Sequence, residues 1–312
     1  MGFLSELRYP TKWYAKLITA LLALASFVLL ATATVSSYLL YRILAPARSQ
    51  SEINTRDFPG RPEDMTFEVP GIGRRAGWFF PGLRTAPTIL LCHGYQSNRG
   101  ELLTLVAALQ DNQYNVFLFD FAGHGSSSGR TTFGFRETQE VRAALAEVAR
   151  RGDVDRGRFG IWGANLGAYA ALAVAEVDPR VRALALDSAY DRPMDMLRLE
   201  VDRSGLGGLP VIHRATDLGF EWLNRSFRHE PPISARLAKL AGVPKLFIMA
   251  SDDPQLAQST RELFLQAPGP GEQAIIPRGN YAGMTDEEKR GYENRIVSFF
   301  VANLPPSGHT RR

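Results

Sequence analysis

The sequence predicts an α/β fold: a mostly parallel sheet with helices on both faces and an inserted cap, preceded by one transmembrane helix. Short apolar segments alternate with helical segments from about residue 64 onward, which indicates strands joined by crossover helices. Residues 87–92 are apolar almost throughout, as expected for a strand buried on both faces. An uncharged run at residues 17–41 precedes this pattern.

The composition is that of a folded protein without a nucleic-acid partner. Of the 312 residues, 45% are hydrophobic and 22% are charged, which excludes a disordered or collagen-like chain. The formal net charge is +4, but the basic residues are scattered, so we expect no nucleic-acid binding. The one cysteine, Cys92, excludes an internal disulfide and a CxxC zinc site. We expect no metal, because no His, Asp and Glu cluster has ligand spacing.

The uncharged run at residues 17–41 predicts a transmembrane helix. At about 1.5 Å per residue, this helix exceeds the roughly 30 Å hydrocarbon core of a bilayer. Aromatic rings at both ends of such a run favour the membrane interface. Here they are Trp13, Tyr14, Tyr38 and Tyr41.

A cleaved signal peptide is the alternative interpretation of this N-terminus. Ala45-Pro46-Ala47 resembles a cleavage site, but the apolar region of a signal peptide has only roughly 7–15 residues. We therefore predict a retained single-pass anchor whose partner is the lipid bilayer. The basic flanks of the run are nearly balanced, and we expect the N-terminus in the cytoplasm and the soluble domain outside it.

The chain divides into an anchor, a linker, a domain and a tail. Residues 1–44 are predicted to form the anchor, and the polar residues 45–60 a linker. Residues 61–304 form the α/β domain. A cap is inserted at about residues 190–241, where glycines and helical fragments interrupt the alternation. Residues 305–312 form a polar tail.

The elements of the α/β domain follow from the positions of its apolar residues. Strands are predicted at residues 65–70, 76–81, 87–92, 115–120, 158–163, 181–187, 245–250 and 273–277. Helices are predicted at residues 101–111, 137–151, 166–175, 259–266 and 286–304, with a helical fragment at 215–224 in the cap.

Four strand ends carry the residues from which chemistry is expected, because ligands bind at the carboxyl ends of parallel strands. They read Cys-His-Gly-Tyr-Gln at 92–96, Asp-Phe-Ala-Gly-His-Gly-Ser-Ser-Ser-Gly at 120–129, Gly-Ala-Asn-Leu-Gly at 163–167 and Ala-Ser-Asp-Asp-Pro at 250–254. In this order and spacing they resemble the α/β-hydrolase superfamily, in particular esterase-like and serine-aminopeptidase-like members with an N-terminal anchor. The resemblance covers roughly residues 65–304.

The resemblance implies that residues 163–167 form the nucleophile elbow, a strand–turn–helix motif G-x-S-x-G. The tight turn leaves no room for side chains at its glycines, and Gly163 and Gly167 match them. The nucleophile position, however, is Asn165. Because an amide nitrogen is delocalised into its carbonyl, Asn165 offers no attacking atom for covalent catalysis.

The same resemblance places the other catalytic positions near the end of the domain. Tyr281 occupies the histidine position, and no histidine lies between His229 and His309. A tyrosine, with a pKa of about 10, is a poor general base at neutral pH. The acid position matches Asp253, with Asp252 as the alternative. The catalytic triad is therefore predicted to be degenerate.

The oxyanion hole is predicted to be intact. By the resemblance, its donors are the backbone N–H groups of Tyr95 and Leu166. Such a pocket could hold a small acyl, ester or carboxylate ligand without cleaving it. The glycines at residues 123–129 superficially resemble a dinucleotide fingerprint, but they do not open a helix. We expect a tight loop there and no cofactor.

These observations predict a membrane-anchored α/β-hydrolase homologue without serine-hydrolase catalysis, which binds a ligand or a protein partner of unknown identity. The alternative is an active hydrolase of esters or amides with a non-standard site. In that case Asp253 activates water, or His213 or His229 from the cap replaces the missing base. A cofactor-free oxygenase or lyase is the third hypothesis, but such relatives rely on a His–Asp pair that is missing here.

Overall fold

The computed structural model describes residues 12–48 and 62–306. Residues 49–60 of the predicted linker and residues 307–312 of the predicted tail lie outside the described residues.

Eight strands form the sheet. They are β1 Glu63–Val69, β2 Gly73–Phe80, β3 Thr88–Cys92, β4 Asn115–Phe119, β5 Phe159–Ala164, β6 Val181–Asp187, β7 Lys245–Ala250 and β8 Gly271–Ile276. The α-helices are α1 Trp13–Leu44, α2 Leu103–Asp111, α3 Phe135–Val148, α4 Leu166–Ala175, α5 Pro193–Val201, α6 Pro210–Leu223, α7 Pro254–Gln266 and α8 Asp286–Asn303. Shorter helical turns lie at Arg99–Leu102, Asp202–Leu206, Arg225–Phe227, Ser234–Leu240 and Tyr281–Gly283.

The sheet is mostly parallel, which confirms the predicted fold class. Its strand order is β1-β2-β4-β3-β5-β6-β7-β8. The pairs β1–β2 and β2–β4 are antiparallel, and the remaining pairs are parallel. Every residue of β3, β4 and β7 is buried. This burial follows from the crossover helices, which cover a parallel sheet on both faces and explain why these strands are apolar runs.

Two predicted helices begin five residues earlier in the structure, at Pro254 instead of 259 and at Pro210 instead of 215. The helix predicted from residue 259 begins at Pro254, because Asp253 accepts a hydrogen bond from the backbone N–H of Leu256 and proline suits the first helical turn. The helix predicted from residue 215 begins at Pro210 for the same reason of proline placement. The predicted cap segment also contains α5, which the sequence analysis did not assign.

The chain forms two compact units. The anchor–cap unit consists of residues 12–43 and Arg198–Arg225, and the sheet unit contains the rest of the described chain. In the anchor–cap unit, Arg198 forms an ion pair with the buried Asp217 at 2.8 Å. A Cβ on Gly219 would lie 2.8 Å from Cδ2 of Leu40. Glycine therefore lets the backbone of α6 approach α1 closely.

Helix α1 has the length and apolar composition needed to cross a membrane. It has 32 residues, and it is the one helix among the described residues that meets this condition. At about 1.5 Å per residue it is about 48 Å long. A signal sequence has the same properties, so membrane anchoring remains a prediction.

Candidate active site

The turn between β5 and α4 has the geometry of a nucleophile elbow. A Cβ on Gly163 would lie 2.4 Å from the backbone carbon of Gly167, and a Cβ on Gly167 would lie 2.2 Å from the carbonyl oxygen of Cys92. Both positions therefore require glycine. Asn165, at the tip of the turn, has φ 35° and ψ −98°, a strained conformation for a residue with a side chain.

The side chain of Asn165 fills the predicted oxyanion hole. Its Oδ1 accepts hydrogen bonds from the backbone N–H groups of Tyr95 and Leu166, each at 2.7 Å. In the alternative orientation of the amide, its NH₂ group would face these two backbone N–H donors, and no hydrogen bond could form. The oxygen must therefore face the hole. The structure thus brings Asn165, Tyr95 and Leu166 together, with the amide oxygen at the place predicted for a substrate oxyanion.

His93 fixes the loop that carries Tyr95. Its Nδ1 donates to the carbonyl oxygen of Gly94 at 2.8 Å, and its Nε2 accepts from the backbone N–H of Phe121 at 3.0 Å. These partners require the neutral imidazole with the proton on Nδ1. Burial lowers the pKa of His93, which is fully inaccessible. Both ring nitrogens are occupied by structural hydrogen bonds.

His124 lies beside this loop and packs its ring against Tyr95 and His93, with centroids 5.8 Å and 5.2 Å away. Its Nδ1 lies 3.1 Å from the carbonyl oxygen of Ala122. Among the described residues, its Nε2 has no hydrogen-bond partner. Burial and the neighbouring His93 lower the pKa of His124 to about 3. The ring is therefore neutral at physiological pH.

The glycine-rich loop at residues 123–129 closes around Asp120. The Asp120 carboxylate accepts hydrogen bonds from the backbone N–H groups of Arg99, at 2.8 Å, and Ser126, at 3.0 Å. Gly125 has φ +48°, and a Cβ there would lie 2.3 Å from the Asp120 carboxyl carbon. The glycine serves this close approach, as the tight-loop interpretation predicts.

The two aspartates after β7 have structural partners. Asp253 accepts a hydrogen bond from the backbone N–H of Leu256 at 3.2 Å and caps α7. The exposed Asp252 accepts from the backbone N–H of Gly279 at 2.8 Å, which ties down the loop that carries Tyr281. The predicted catalytic role of Asp253 stays a prediction.

Tyr281 points into the core and its hydroxyl group is occupied. It donates to the buried Glu293 of α8 and lies 2.6 Å from Oγ1 of Thr104 on α2. The ring belongs to the hydrophobic cluster under the sheet and is only 7% exposed. Burial and the hydrogen bond to Glu293 raise the pKa of Tyr281. The residue at the histidine position therefore keeps its proton.

Sequence reasoning did not identify a polar network behind the elbow. Asp187, at the end of β6, accepts hydrogen bonds from the hydroxyl groups of Tyr292 at 2.5 Å and Ser188 at 2.8 Å. The Trp162 indole donates to Tyr292 at 3.0 Å. The carbonyl oxygen of Asp187 also accepts from the backbone N–H of Asn165 at 2.8 Å. The available signal was an Asp-Ser pair at the carboxyl end of a parallel strand.

This network has two unusual properties. Burial raises the pKa of Asp187 to about 6. Ser188 has φ 52°, a left-handed conformation that costs energy for a residue other than glycine. Ser188, with its strained backbone and its hydroxyl group hydrogen-bonded beside the elbow, is therefore the residue to test as a displaced nucleophile.

The remaining candidate features have other partners or lie elsewhere. His213 pairs with Asp202 at 2.9 Å within the anchor–cap unit. A groove of about 730 Å³ lies between β1 and α3, away from the elbow, and is lined by residues of both charges such as Arg142 and Glu147. Among residues 12–48 and 62–306, no group of three or more His, Cys, Asp and Glu side chains could hold a metal ion.

The chain is similar to several known proteins. A sequence model of the alpha/beta hydrolase fold matches residues 87–207. YfhR of Escherichia coli O157:H7, an uncharacterized protein, is 27% identical over 258 residues, which cover 80% of this chain and 84% of YfhR. Rv2307c of Mycobacterium tuberculosis H37Rv, also uncharacterized, is 26% identical over 218 residues, covering 69% and 70% of the chains. The crystal structure of the Pyrococcus furiosus esterase Pf2001 superposes with a TM-score of 0.65 at 19% identity, covering 85% and 99%.

The strand order, the glycine-dependent elbow and these similarities define one class of protein. The chain has the α/β-hydrolase fold, and a sequence model of that fold matches its residues 87–207.

Proposed function

We propose that this protein is a membrane-anchored α/β-hydrolase homologue that binds a small ligand at the elbow and does not perform serine-hydrolase catalysis. The observation that carries the proposal is the oxygen of Asn165, which accepts hydrogen bonds from Tyr95 and Leu166 at 2.7 Å each. A substrate carbonyl needs those two donors in the transition state. Here they are already satisfied.

The chemistry available at Asn165 and Tyr281 supports the same conclusion. Serine-hydrolase catalysis needs a hydroxyl or thiol nucleophile and a base that removes its proton. Asn165 provides neither a nucleophile nor a proton to transfer. The Tyr281 hydroxyl donates to Glu293, and its raised pKa prevents it from acting as a base near neutral pH.

The ligand class follows from the atoms that remain available. Among the described residues, no acceptor is hydrogen-bonded to Nδ2 of Asn165, which therefore presents two N–H donors. Asn165 also lies at the N-terminus of the ten-residue helix α4, where the helix dipole favours negative charge. Donors and dipole together favour a small ligand with a carboxylate or carbonyl oxygen.

A labelling experiment tests the absence of serine-hydrolase catalysis. The full chain in detergent is incubated with p-nitrophenyl esters and with a fluorophosphonate probe, beside the variants Asn165→Ala and Ser188→Ala. We expect turnover no faster than in buffer and no covalent label in any of the three proteins. Turnover or labelling that one substitution abolishes would contradict the proposal and identify the nucleophile.

A binding experiment tests the ligand class. Calorimetry with butyrate and octanoate compares the wild type with Asn165→Asp. The aspartate keeps an oxygen in the oxyanion hole but replaces the NH₂ donor by a charged acceptor, which repels a carboxylate. We expect binding to weaken at least tenfold, equivalent to about 1.4 kcal/mol. Equal affinities, or no binding by the wild type, would exclude carboxylate recognition by Asn165.

A second candidate function is hydrolysis at a non-standard site. The observation that favours it is the Ser188 hydroxyl, which donates to Asp187 at 2.8 Å next to the elbow. A carboxylate is a weaker base than an imidazole, and Ser188 is only 5% exposed. Loss of fluorophosphonate labelling in Ser188→Ala, but not in Asn165→Ala, would establish this alternative.

A further inference from the structure

Helix α6 of the anchor–cap unit has apolar residues on two opposite sides. One side is buried and contains Ile212 and Phe220. The other side carries Val211, Leu218 and Trp222, which are 55%, 49% and 66% exposed. Their spacing of seven and then four residues places them in one stripe along the helix. Packing inside the protein accounts for the buried side only.

The stripe lies on a helix that contacts the end of α1. The glycine at position 219 lets α6 approach Leu40, and Ser36 and Leu40 of α1 are buried. Every residue between positions 20 and 30 of α1 is exposed. Residues 13–35 span about 34 Å, close to the roughly 30 Å hydrocarbon core of a bilayer. The contact with α6 therefore comes immediately after the segment that fits the hydrocarbon core.

The charged and aromatic residues around the stripe favour a lipid surface as the partner that it contacts. Arg214 and Arg225 are exposed at its edge, and the guanidinium of Arg225 lies 5.6 Å from the centre of the Trp222 ring. Glu221 is the exposed acidic residue on this side of the helix. Tryptophan, aliphatic side chains and arginine on one helical surface are the combination that binds the boundary between headgroups and acyl chains.

We propose that α6 lies in the interface of the bilayer that α1 crosses, with Val211, Leu218 and Trp222 facing the acyl chains and the two arginines at the phosphate level. This inference depends on the membrane anchoring in the proposed function. It adds a second membrane contact, made by the cap, which holds the anchor–cap unit at the membrane surface.

Site-directed spin labelling of the full chain in vesicles tests this contact. Cys92 is fully buried, and burial raises the pKa of its thiol, so a nitroxide reagent will label only an introduced cysteine. Separate variants carry Val211→Cys or Leu218→Cys. The vesicles contain phosphatidylcholine and phosphatidylglycerol. Collision with oxygen, which concentrates in the bilayer, is compared with collision with a water-soluble nickel chelate.

Two further labelled variants provide the controls. Leu265→Cys on α7 is a comparably exposed apolar site, at 70%, and Leu24→Cys reports on α1. We expect the labels at 24, 211 and 218 to favour oxygen and the label at 265 to favour the nickel chelate. If the labels at 211 and 218 favour nickel while that at 24 favours oxygen, the interfacial contact is wrong although the anchor holds. If the label at 24 also favours nickel, the anchoring itself is wrong. Labels at 211 and 218 shielded from both reagents would show that protein, not lipid, covers the stripe.

Discussion

The side chain of Asn165 stabilises a turn in which the backbone of Asn165 itself is strained. The backbone at position 165 has a positive φ, and the adjacent amides of Tyr95 and Leu166 need an acceptor. Oδ1 of asparagine lies one bond further from the backbone than Oγ of serine, and this extra reach lets it satisfy both amides. Asn165, at the predicted nucleophile position, therefore satisfies both amides with its own side-chain oxygen.

The first prediction concerns the stability contributed by this side chain. Asn165→Ala should lower the free energy of unfolding by about 1–3 kcal/mol, because two amides lose their acceptor. Asn165→Asp should have no such cost, since a carboxylate accepts both bonds and is favoured at a helix N-terminus. Urea denaturation measures both. Equal losses in the two variants would show that the hydrogen bonds to Oδ1 do not contribute.

The second prediction concerns His124 and pH. Its pKa is about 3 in the folded protein and about 6.5 when unfolded, so the unfolded chain binds the proton first. The stability from neutral His124 is complete above pH 6.5 and is lost as the pH falls toward 3, by at most about 1.4 kcal/mol per pH unit. His124→Asn keeps a donor for the Ala122 carbonyl oxygen but cannot take up a proton. The difference in unfolding free energy between the two proteins should therefore change between pH 6.5 and 4. A constant difference would contradict the assignment.

The sequence predicted which residues would stand at the elbow but not their contacts. Asn165, Tyr95 and Leu166 come together because glycine spacing and strand ends determine the turn. The partners of Tyr281, namely Thr104 and Glu293, come from α2 and α8, and side-chain pairing between distant helices has no local signal. The Trp162–Tyr292–Asp187 network could not be predicted for the same reason, because its residues are distant in the sequence.

At the scale of elements, the elbow depends on how closely β5, β3 and α4 approach one another. Gly163 and Gly167 stand where backbone meets backbone. The nearest neighbouring atoms belong to the backbone and cannot move aside as a flexible side chain would, so the packing tolerates no additional atom. The elbow is therefore specified by the strand–helix junction more strongly than by the residue at its tip.

The third prediction tests this junction. Gly163→Ala should destabilise the protein by at least about 2–3 kcal/mol, since its Cβ would overlap the Gly167 backbone. Gly152→Ala is the matched control, because nothing lies within 4 Å of a Cβ at that position. Thermal unfolding compares the two. A similar midpoint for both variants would mean that the junction can open without cost.

Element positions were predictable where the pattern is periodic, and element starts were not. Strands β6 and β7 and helix α4 have the predicted bounds, because apolar runs between polar turns define them. Helices α6 and α7 begin earlier than predicted, since each starts at a proline, and in α7 the Asp253 side chain also caps the first turn. Helix α5 lacked a clear apolar period beside the glycines that follow it.

At the scale of the whole molecule, the fold class followed from the alternation of strands and helices. Crossover helices force parallel pairing, and parallel pairing buries both faces of the sheet. Whether α1 spans a membrane, in contrast, depends on the surrounding lipid as well as on the length and composition of the helix. A helix as long and apolar as α1 is predicted to be a retained anchor, but a signal sequence near the N-terminus meets the same test of length and composition.

The fourth prediction separates these two possibilities. The full chain should remain with the membrane fraction after alkaline carbonate extraction, because α1 is long enough to span the bilayer. Leu24→Arg should release much of it, since a charge near the middle of the span costs about 2.5–3.5 kcal/mol. Leu265→Arg on α7 is the control. Mass spectrometry of the purified protein would show a signal peptide as the loss of the N-terminal residues.

The Asn165 carboxamide in the predicted oxyanion hole has a consequence for any gain of esterase activity. Exchanging asparagine for serine would vacate two polarising donors without supplying an imidazole, and exchanging tyrosine for histidine would break the link between α2 and α8. Each single step toward an esterase thus weakens the scaffold before any rate is gained. For a protein without hydrolase activity, as we propose, this coupling would make a return to the reaction by single substitutions costly.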